Sequence, residues 1–366
     1  MISLQEKDKI KTSQATVILI NYTLGVGILT LPRTTAQEVQ TPDIWITVLL
    51  GGLISLLVAI IHVNLSQRFP GKTFYQYTQT LVGKIIGKLL GLFVLGYFLI
   101  LSAFEVRTVA EVTGFYLLDG TPTWFITMPF MWIGLYLIRS GINPIARLYE
   151  LIFPITVILF LLLILMSFKI FELDNLRPVL GEGVIPVLKG IKTTALTYTV
   201  AEIMVVIIAF MEQPKKAVKV IIVGVGIPVL FYLLTVLMVI GGLSIDVAVT
   251  KTWPTISLIQ SYEIPGLIFE RFDSFLLIIW IMQIFATYAI CYYAAALGLS
   301  QLFKKDIKPM MFILIPIIYI VSMLPKNINE LFSLGDMIGH ASFVLFGLLP
   351  LLLLIGSWIK EGRHEA

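Results

Sequence analysis

The sequence predicts an all-α membrane protein: ten transmembrane helices in a 5+5 inverted repeat, with a discontinuous first helix. Three observations carry that prediction. Of 366 residues, 58% are hydrophobic and 13% charged, with mean hydropathy +0.96, whereas a soluble domain holds about 25% charged residues. Ten apolar stretches have the length needed to cross a bilayer's hydrocarbon core. The first of them is interrupted near its centre by Gly25-Val26-Gly27.

That first span falls at about 12–34, and its uncharged part, 12–32, is bracketed by Lys11 and Arg33. Glycines weaken a helix, and free backbone groups at membrane depth survive only where protein or a water-filled cavity covers them. A glycine-broken first helix therefore points to a small-molecule site. The competing reading is that the glycines let a neighbouring helix pack closely. The remaining spans fall at about 44–66, 85–118, 121–139, 146–168, 187–211, 218–243, 265–303, 309–325 and 337–359. The third and eighth are longest, and each is third of five if the chain is cut near 170–185. Halves with an odd number of spans enter the membrane from opposite sides, which makes the repeat inverted. One membrane domain then fills 1–366, with repeats at about 12–168 and 187–359. The first span corresponds to the sixth, which carries Thr193, Thr194, Thr197 and Thr199 and, inside its apolar run, Glu202.

Ten spans put both termini on one side. The segments on that side, such as 65–91 with Arg68, Lys72, Lys84 and Lys88, hold most of the 26 lysines and arginines, so the termini are expected in the cytoplasm. Trp45, Trp124 and Trp358 sit at span ends, where interfacial anchors belong. A net charge of +4 needs no nucleic acid to explain it. The single cysteine, Cys291, excludes an internal disulfide or Cys-rich metal centre. His62, His340 and His364 are too scattered for a ligand set, so no metal or cofactor is expected. With no nucleophile–base constellation either, the chain is not expected to be an enzyme. The N-terminus mixes Glu6, Asp8 and lysines and lacks a cleavage site, so no cleavable signal is expected.

The repeat resembles the five-plus-five fold of the amino-acid/polyamine/cation permease superfamily. That resemblance implies unwound first and sixth helices, with substrate held between them and the long third and eighth. At about 1.5 Å per residue the midplane lies roughly ten to fifteen residues into a span. Counting inward reaches Gly25 in the first, Tyr97 to Leu101 in the third, Thr197 to Thr199 in the sixth and Thr287 in the eighth. No glycine occurs between Gly190 and Gly224, so the sixth span is expected to be less unwound than in typical permeases.

Further strings narrow the match: Gly25-Val-Gly-Ile-Leu-Thr-Leu-Pro-Arg33, Phe104-Glu-Val-Arg-Thr-Val-Ala-Glu111, Asp174-Asn-Leu-Arg-Pro-Val-Leu-Gly-Glu-Gly183, Trp253-Pro-Thr-Ile-Ser-Leu258 and Phe269-Glu-Arg-Phe-Asp-Ser-Phe275. Over about 10–358 they resemble the B subunits of bacterial spore germinant receptors, the GerB-type endospore germination permeases. The resemblance implies a multi-pass protein of the spore's inner membrane. Its partners would be an A subunit and a C-subunit lipoprotein, and it would recognise a small germinant, usually an amino acid, and trigger germination. The rival expectation is an autonomous amino-acid transporter driven by protons or sodium.

A zwitterionic ligand wants backbone N–H groups and the positive end of a half-helix for its carboxylate, and carbonyls or hydroxyls for its ammonium. A break at Gly25 and Gly27 offers both, with Asn21, Thr23 and Leu24 beside it. Tyr97 offers an aromatic wall next to Leu101, and Thr197, Thr199 and Thr287 offer hydroxyls. Each of these threonines could instead bond a carbonyl of its own helix. Ionisable groups at membrane depth are functional candidates. Arg107 and Glu111, four apart, can pair. Glu105 lies on another face and needs a partner such as Arg271 or Arg33. Together they form either a structural ion-pair network near the outer mouth or a gate that rearranges on binding. Glu202, deeper, is protonated, paired with a distant base or bound to a coupling ion. His62 and His340 read as packed, hydrogen-bonded residues. The loop Asp174–Gly183 reads as a defined turn that contacts a partner, covers the pocket or merely connects helices.

Overall fold

The computed structural model describes residues 8–198, 200–261 and 273–362, and all regular elements there are helical apart from one isolated bridge. The first apolar run forms two helices, α1 (Thr12–Leu24) and α2 (Gly27–Val39), bent by 49° at the glycine break. There follow α3 (Ile44–Gln67), the short α4 (Phe74–Leu81), the 33-residue α5 (Lys84–Tyr116), α6 (Thr123–Ile138) and α7 (Ile142–Ser167). The second half repeats the order with α8 (Ile185–Thr197), α9 (Val200–Ile207), α10 (Ala217–Leu243), α11 (Ile245–Thr250), α12 (Pro254–Gln260) and α13 (Asp273–Phe303). It closes with α14 (Ile307–Ser322), α15 (Ile328–Ser342) and α16 (Leu349–Gly362), the last two joined by a π-helical turn at Phe343–Leu348. Each half thus runs broken pair, long helix, short helix, longest helix, and a 16-residue helix containing a proline (Pro129 or Pro316). Among the described residues, length and apolarity alone support six spans, or seven with α1–α2 counted as one, of the ten expected.

The two broken pairs lie side by side and run in opposite directions. At one end Ile10 N–H donates to Phe210 O (2.8 Å) and Glu212 N–H to Ile10 O (3.0 Å); at the other, the Tyr22 hydroxyl donates to Glu202. Helices α1 and α9 are therefore antiparallel. The partner halves follow suit: a Cβ on Gly27 would lie 2.9 Å from Thr197 Cγ2, and one on Gly190 would meet Val39 and Thr47, so α2 runs against α8. The two breaks consequently sit next to each other.

The sixth span is interrupted as well, between α8 and α9, although it lacks a glycine there. Helix α8 stops after Thr197, and Tyr198 takes φ −90°, ψ 42°, a conformation that requires no glycine. Its carbonyl is satisfied by the Ser55 hydroxyl of α3. A neighbouring helix supplies what the backbone gives up, as membrane depth demands.

Helix α13 is the centre of the bundle: 78% of its most apolar stretch is buried, against 33% for α7. On α7 the exposed stripe Leu151, Ile158, Leu162 and Leu165 faces outward, as lipid contact requires. Without a hydrophobic drive between helices inside lipid, close approach at small residues holds such bundles together. Here Gly134 of α6 meets the Tyr288 ring, Gly51 of α3 meets Thr194, and Gly91 of α5 meets Leu302. The segment 172–183 is tied to α10 and to the start of α3. Glu172 N–H and the Asn175 amide both donate to Gly241 O (2.9 Å each), and Leu180 N–H donates to Asp43 Oδ1 at 2.8 Å. It takes no part in the cavity described next.

Candidate ligand cavity at the helix break

A cavity of about 390 Å³ opens beside Gly25, walled by α1, α2, α5, α8, α13 and α15. The backbone there is shaped by neighbours. Tyr22 O accepts from the Thr287 hydroxyl at 3.1 Å, and Thr23 O accepts from the Tyr232 hydroxyl. Side chains from α13 and α10 thus take the place of the missing helical donors. Gly25 is required by close approach: a Cβ there would fall within 3.0 Å of Thr287 Oγ1, 3.2 Å from Thr287 Cβ and 3.4 Å from Glu105 Oε1.

Of the residues singled out from sequence, Thr23, Gly25, Gly27, Tyr97, Leu101, Thr197, Thr287 and Glu105 line this cavity. Asn21 and Leu24 do not. The Asn21 amide turns to α7, donating to Val17 O (2.9 Å) and Tyr149 O (3.4 Å). Leu24 is fully buried in the apolar cluster with Phe231 and Tyr232. Three residues apart, Asn21 and Leu24 share the helix face that packs away from the cavity. Thr199, like Arg271, lies outside the described residues. Thr23, Thr197 and Thr287 do donate to carbonyls of their own helices, namely Leu19 O at 2.9 Å, Thr193 O at 3.1 Å and Gln283 O at 3.2 Å.

The ionisable residues separate into three environments. Arg107 and Glu111 form the expected pair at 2.6 Å, away from the cavity. Glu202 is fully buried outside the cavity wall, its carboxylate accepting from the Tyr22 and Tyr97 hydroxyls, the latter at 2.5 Å. Glu105 is 3% exposed and lines the cavity, and its Oε2 has no hydrogen-bond partner. The proposed partner Arg33 instead places its guanidinium 4.9 Å over the Phe332 ring. His62 is buried and donates to Phe346 O, a carbonyl of the π-helical turn. His340, expected to be packed, is exposed at the cavity wall, its Nδ1 on Asp336 O (2.7 Å) and its Nε2 facing Lys192 Nζ at 3.0 Å.

Sequence reasoning missed Tyr22, the stripe of Val26 just before α2 and Thr30, Thr34 and Glu38 on it, Lys189, Lys192 and Thr193 on α8, and Phe332, Gly335, Asp336 and Gly339 on α15. Each set recurs every three or four residues. Extending the helical face outward from Gly27 or Thr197 would have found the first two.

A broken-helix bundle with a polar cavity at the break defines a multi-pass membrane protein of transporter-type fold. The solved structures agree. MhsT in complex with L-phenylalanine aligns with TM-score 0.69 at 12% identity, covering 94% of this chain and 97% of that one. The nucleobase-cation-symport-1 family transporter Mhp1, in a closed conformation with bromovinylhydantoin bound, aligns with TM-score 0.67 at 12% identity, covering 96% of this chain and 78% of that one. The profile of the family described as "Spore germination protein" matches residues 9–331. Spore germination protein YndE of Bacillus subtilis (strain 168) is 55% identical over 97% of this chain and 98% of its own length. Spore germination proteins A2 and B2 of the same organism are each 36% identical, A2 over 94% of both chains and B2 over 97% of both. The chain belongs to the spore germination protein family and is a membrane subunit of the germinant-receptor type, as its motifs suggested.

Proposed function

We propose that this chain binds a small germinant, an amino acid, in the cavity at the helix break and that binding triggers germination. The supporting observation is the convergence of two interrupted helices, α1–α2 and α8–α9, on a space walled by hydroxyls, a carboxyl and the amino end of α2. That helix end suits the ligand's carboxylate. The protein acts by binding and not by catalysis. It works as a ten-span subunit of the spore's inner membrane with both termini cytoplasmic, beside an A subunit and a C-subunit lipoprotein. Occupancy shifts the balance between two packings of the broken helices, and the partners read that shift.

The test uses spores whose only germinant receptor contains this chain, challenged with each common L-amino acid. Thr193→Trp fills the cavity from α8, whereas Leu57→Trp adds the same bulk at an exposed position of α3. Response to the active amino acid should vanish in the first and persist in the second. Equal response in both variants refutes the cavity as the site. Uptake by the isolated chain in proteoliposomes, abolished by an uncoupler, would instead indicate an autonomous transporter.

A further inference from the structure

We propose that Glu105 selects for a protonated amine on the ligand, so that the cavity admits an ammonium and rejects the same molecule without one. The inference rests on the cavity being the ligand site. It starts from what the wall offers. The hydroxyl protons of Thr23, Thr197 and Thr287 are committed to backbone carbonyls. Their oxygens therefore face the cavity with lone pairs only, since a hydroxyl has one proton and two acceptor sites. Glu105 adds a carboxyl to the wall, with Oε1 beside Gly25 and a buried Oε2 that has no hydrogen-bond partner.

Among the described residues, no cation answers that carboxyl. Arg107, two residues on and so about 200° around the helix, is paired with Glu111 at 2.6 Å. Arg33 is stacked on Phe332. Lys192, which also lines the cavity, is engaged by His340 Nε2 at 3.0 Å, and Lys189 makes no ion pair with Glu105. A buried carboxyl without a partner is costly, and each native example calls for an explanation. A guest ammonium supplies it: three donors meet the Glu105 carboxylate and neighbouring threonine oxygens, with Glu105 Oε1 lying beside the Gly25 break. Glu202 does not serve the same purpose: it does not line the cavity, and its oxygens accept from the Tyr22 and Tyr97 hydroxyls.

The experiment uses the assembled receptor in membranes and pairs each common L-amino acid with the α-hydroxy acid of the same side chain. The readout is the titrated, ligand-induced rise in thermal unfolding midpoint. The unmodified protein should prefer one or more amino acids over their hydroxy acids by about tenfold or more, in line with a charge-assisted bond. Glu105→Gln should bring the two within about threefold by weakening the amino acid, and Glu105→Asp should keep the preference. A variant-free measurement guards against misfolding: carbodiimide labelling of Glu105, followed by mass spectrometry, should be blocked by the amino acid and not by the hydroxy acid. An unchanged preference in Glu105→Gln, or equal protection by both compounds, overturns the proposal. So does an active germinant that lacks an amine yet is lost in Thr193→Trp, an outcome that leaves the cavity itself standing as the site. Indifference of germination to Thr193→Trp removes the cavity reading instead.

Discussion

Gly25→Ala tests the site at its narrowest point. The added methyl would sit within 3.0 Å of Thr287 Oγ1 and 3.2 Å from Thr287 Cβ. The Thr287 hydroxyl cannot swing aside freely, because it bridges Tyr22 O (3.1 Å) and Gln283 O (3.2 Å). Relief requires α1 to separate from α13 at the break. Overpacking of this kind costs about 1–3 kcal/mol, which corresponds to about 5- to 150-fold in Kd if it falls on the ligand-bound geometry. The assay is a binding titration with the amino acid to which the spores respond, run on the single variants and on Gly25→Ala/Thr287→Ala. Removing Oγ1 leaves the added methyl 3.2 Å from Cβ and 3.4 Å from Glu105 Oε1, tight but tolerable contacts, so the double variant should bind better than the two single losses combined. A coupling of about 1–2 kcal/mol is expected for residues in contact. Additivity within about 0.3 kcal/mol, or unchanged affinity in Gly25→Ala, would refute the reasoning.

Three further outcomes follow from the packing. Tyr22→Phe leaves one Glu202 oxygen without its phenol and should cost about 1–3 kcal/mol of stability, read as a lower thermal midpoint in detergent. Gly134→Leu forces a side chain into the Tyr288 ring between α6 and α13 and should lower the midpoint more than Gly96→Leu on α5, where a Cβ meets open space. Asp43→Ala removes the acceptor of Leu180 N–H and of the Thr41 hydroxyl; limited proteolysis should then cut near 177–183 several-fold faster, with ligand affinity unchanged.

The first break was legible because glycine marks it: two glycines in an uncharged run weaken the helix there. The second was not, since Tyr198 turns the chain without a glycine and relies on Ser55, 143 residues away, to satisfy its carbonyl. The phase of α1 was equally hidden. From Ile18 to Leu24 every residue is buried, so no polar face distinguishes Thr23 and Gly25, which meet the cavity, from Asn21 and Leu24, which meet α7 and α10. Depth was easier to read than direction, because rise per residue is fixed while facing depends on neighbours distant in sequence. The Arg107–Glu111 pair was legible for the opposite reason, as both partners lie one turn apart on the same helix.

The two carboxyls near the break show how surroundings, and not residue type, assign roles. Sequence alone reads both as acids in apolar spans, Glu105 in a charged group near the outer mouth and Glu202 deeper. In the bundle, α9 runs antiparallel to α1, which brings Glu202 to Tyr22, and α5 passes close enough for Tyr97 to reach its other oxygen. Three helices are thereby tied to one side chain, which lies outside the cavity wall while Tyr22 and Tyr97 form part of it. Glu105 lies two turns beyond Tyr97 on the same helix, where the neighbour is not an aligned helix but the bend at Gly25. The Thr287 and Tyr232 hydroxyls that enter that bend serve the carbonyls of Tyr22 and Thr23, so the carboxyl lines the cavity with its buried Oε2 unbonded. A fold that breaks a helix to expose backbone also removes the neighbour that would have satisfied an adjacent acid. The open backbone and the unpartnered carboxyl therefore have a common origin, and a small guest that satisfies one will lie within reach of the other.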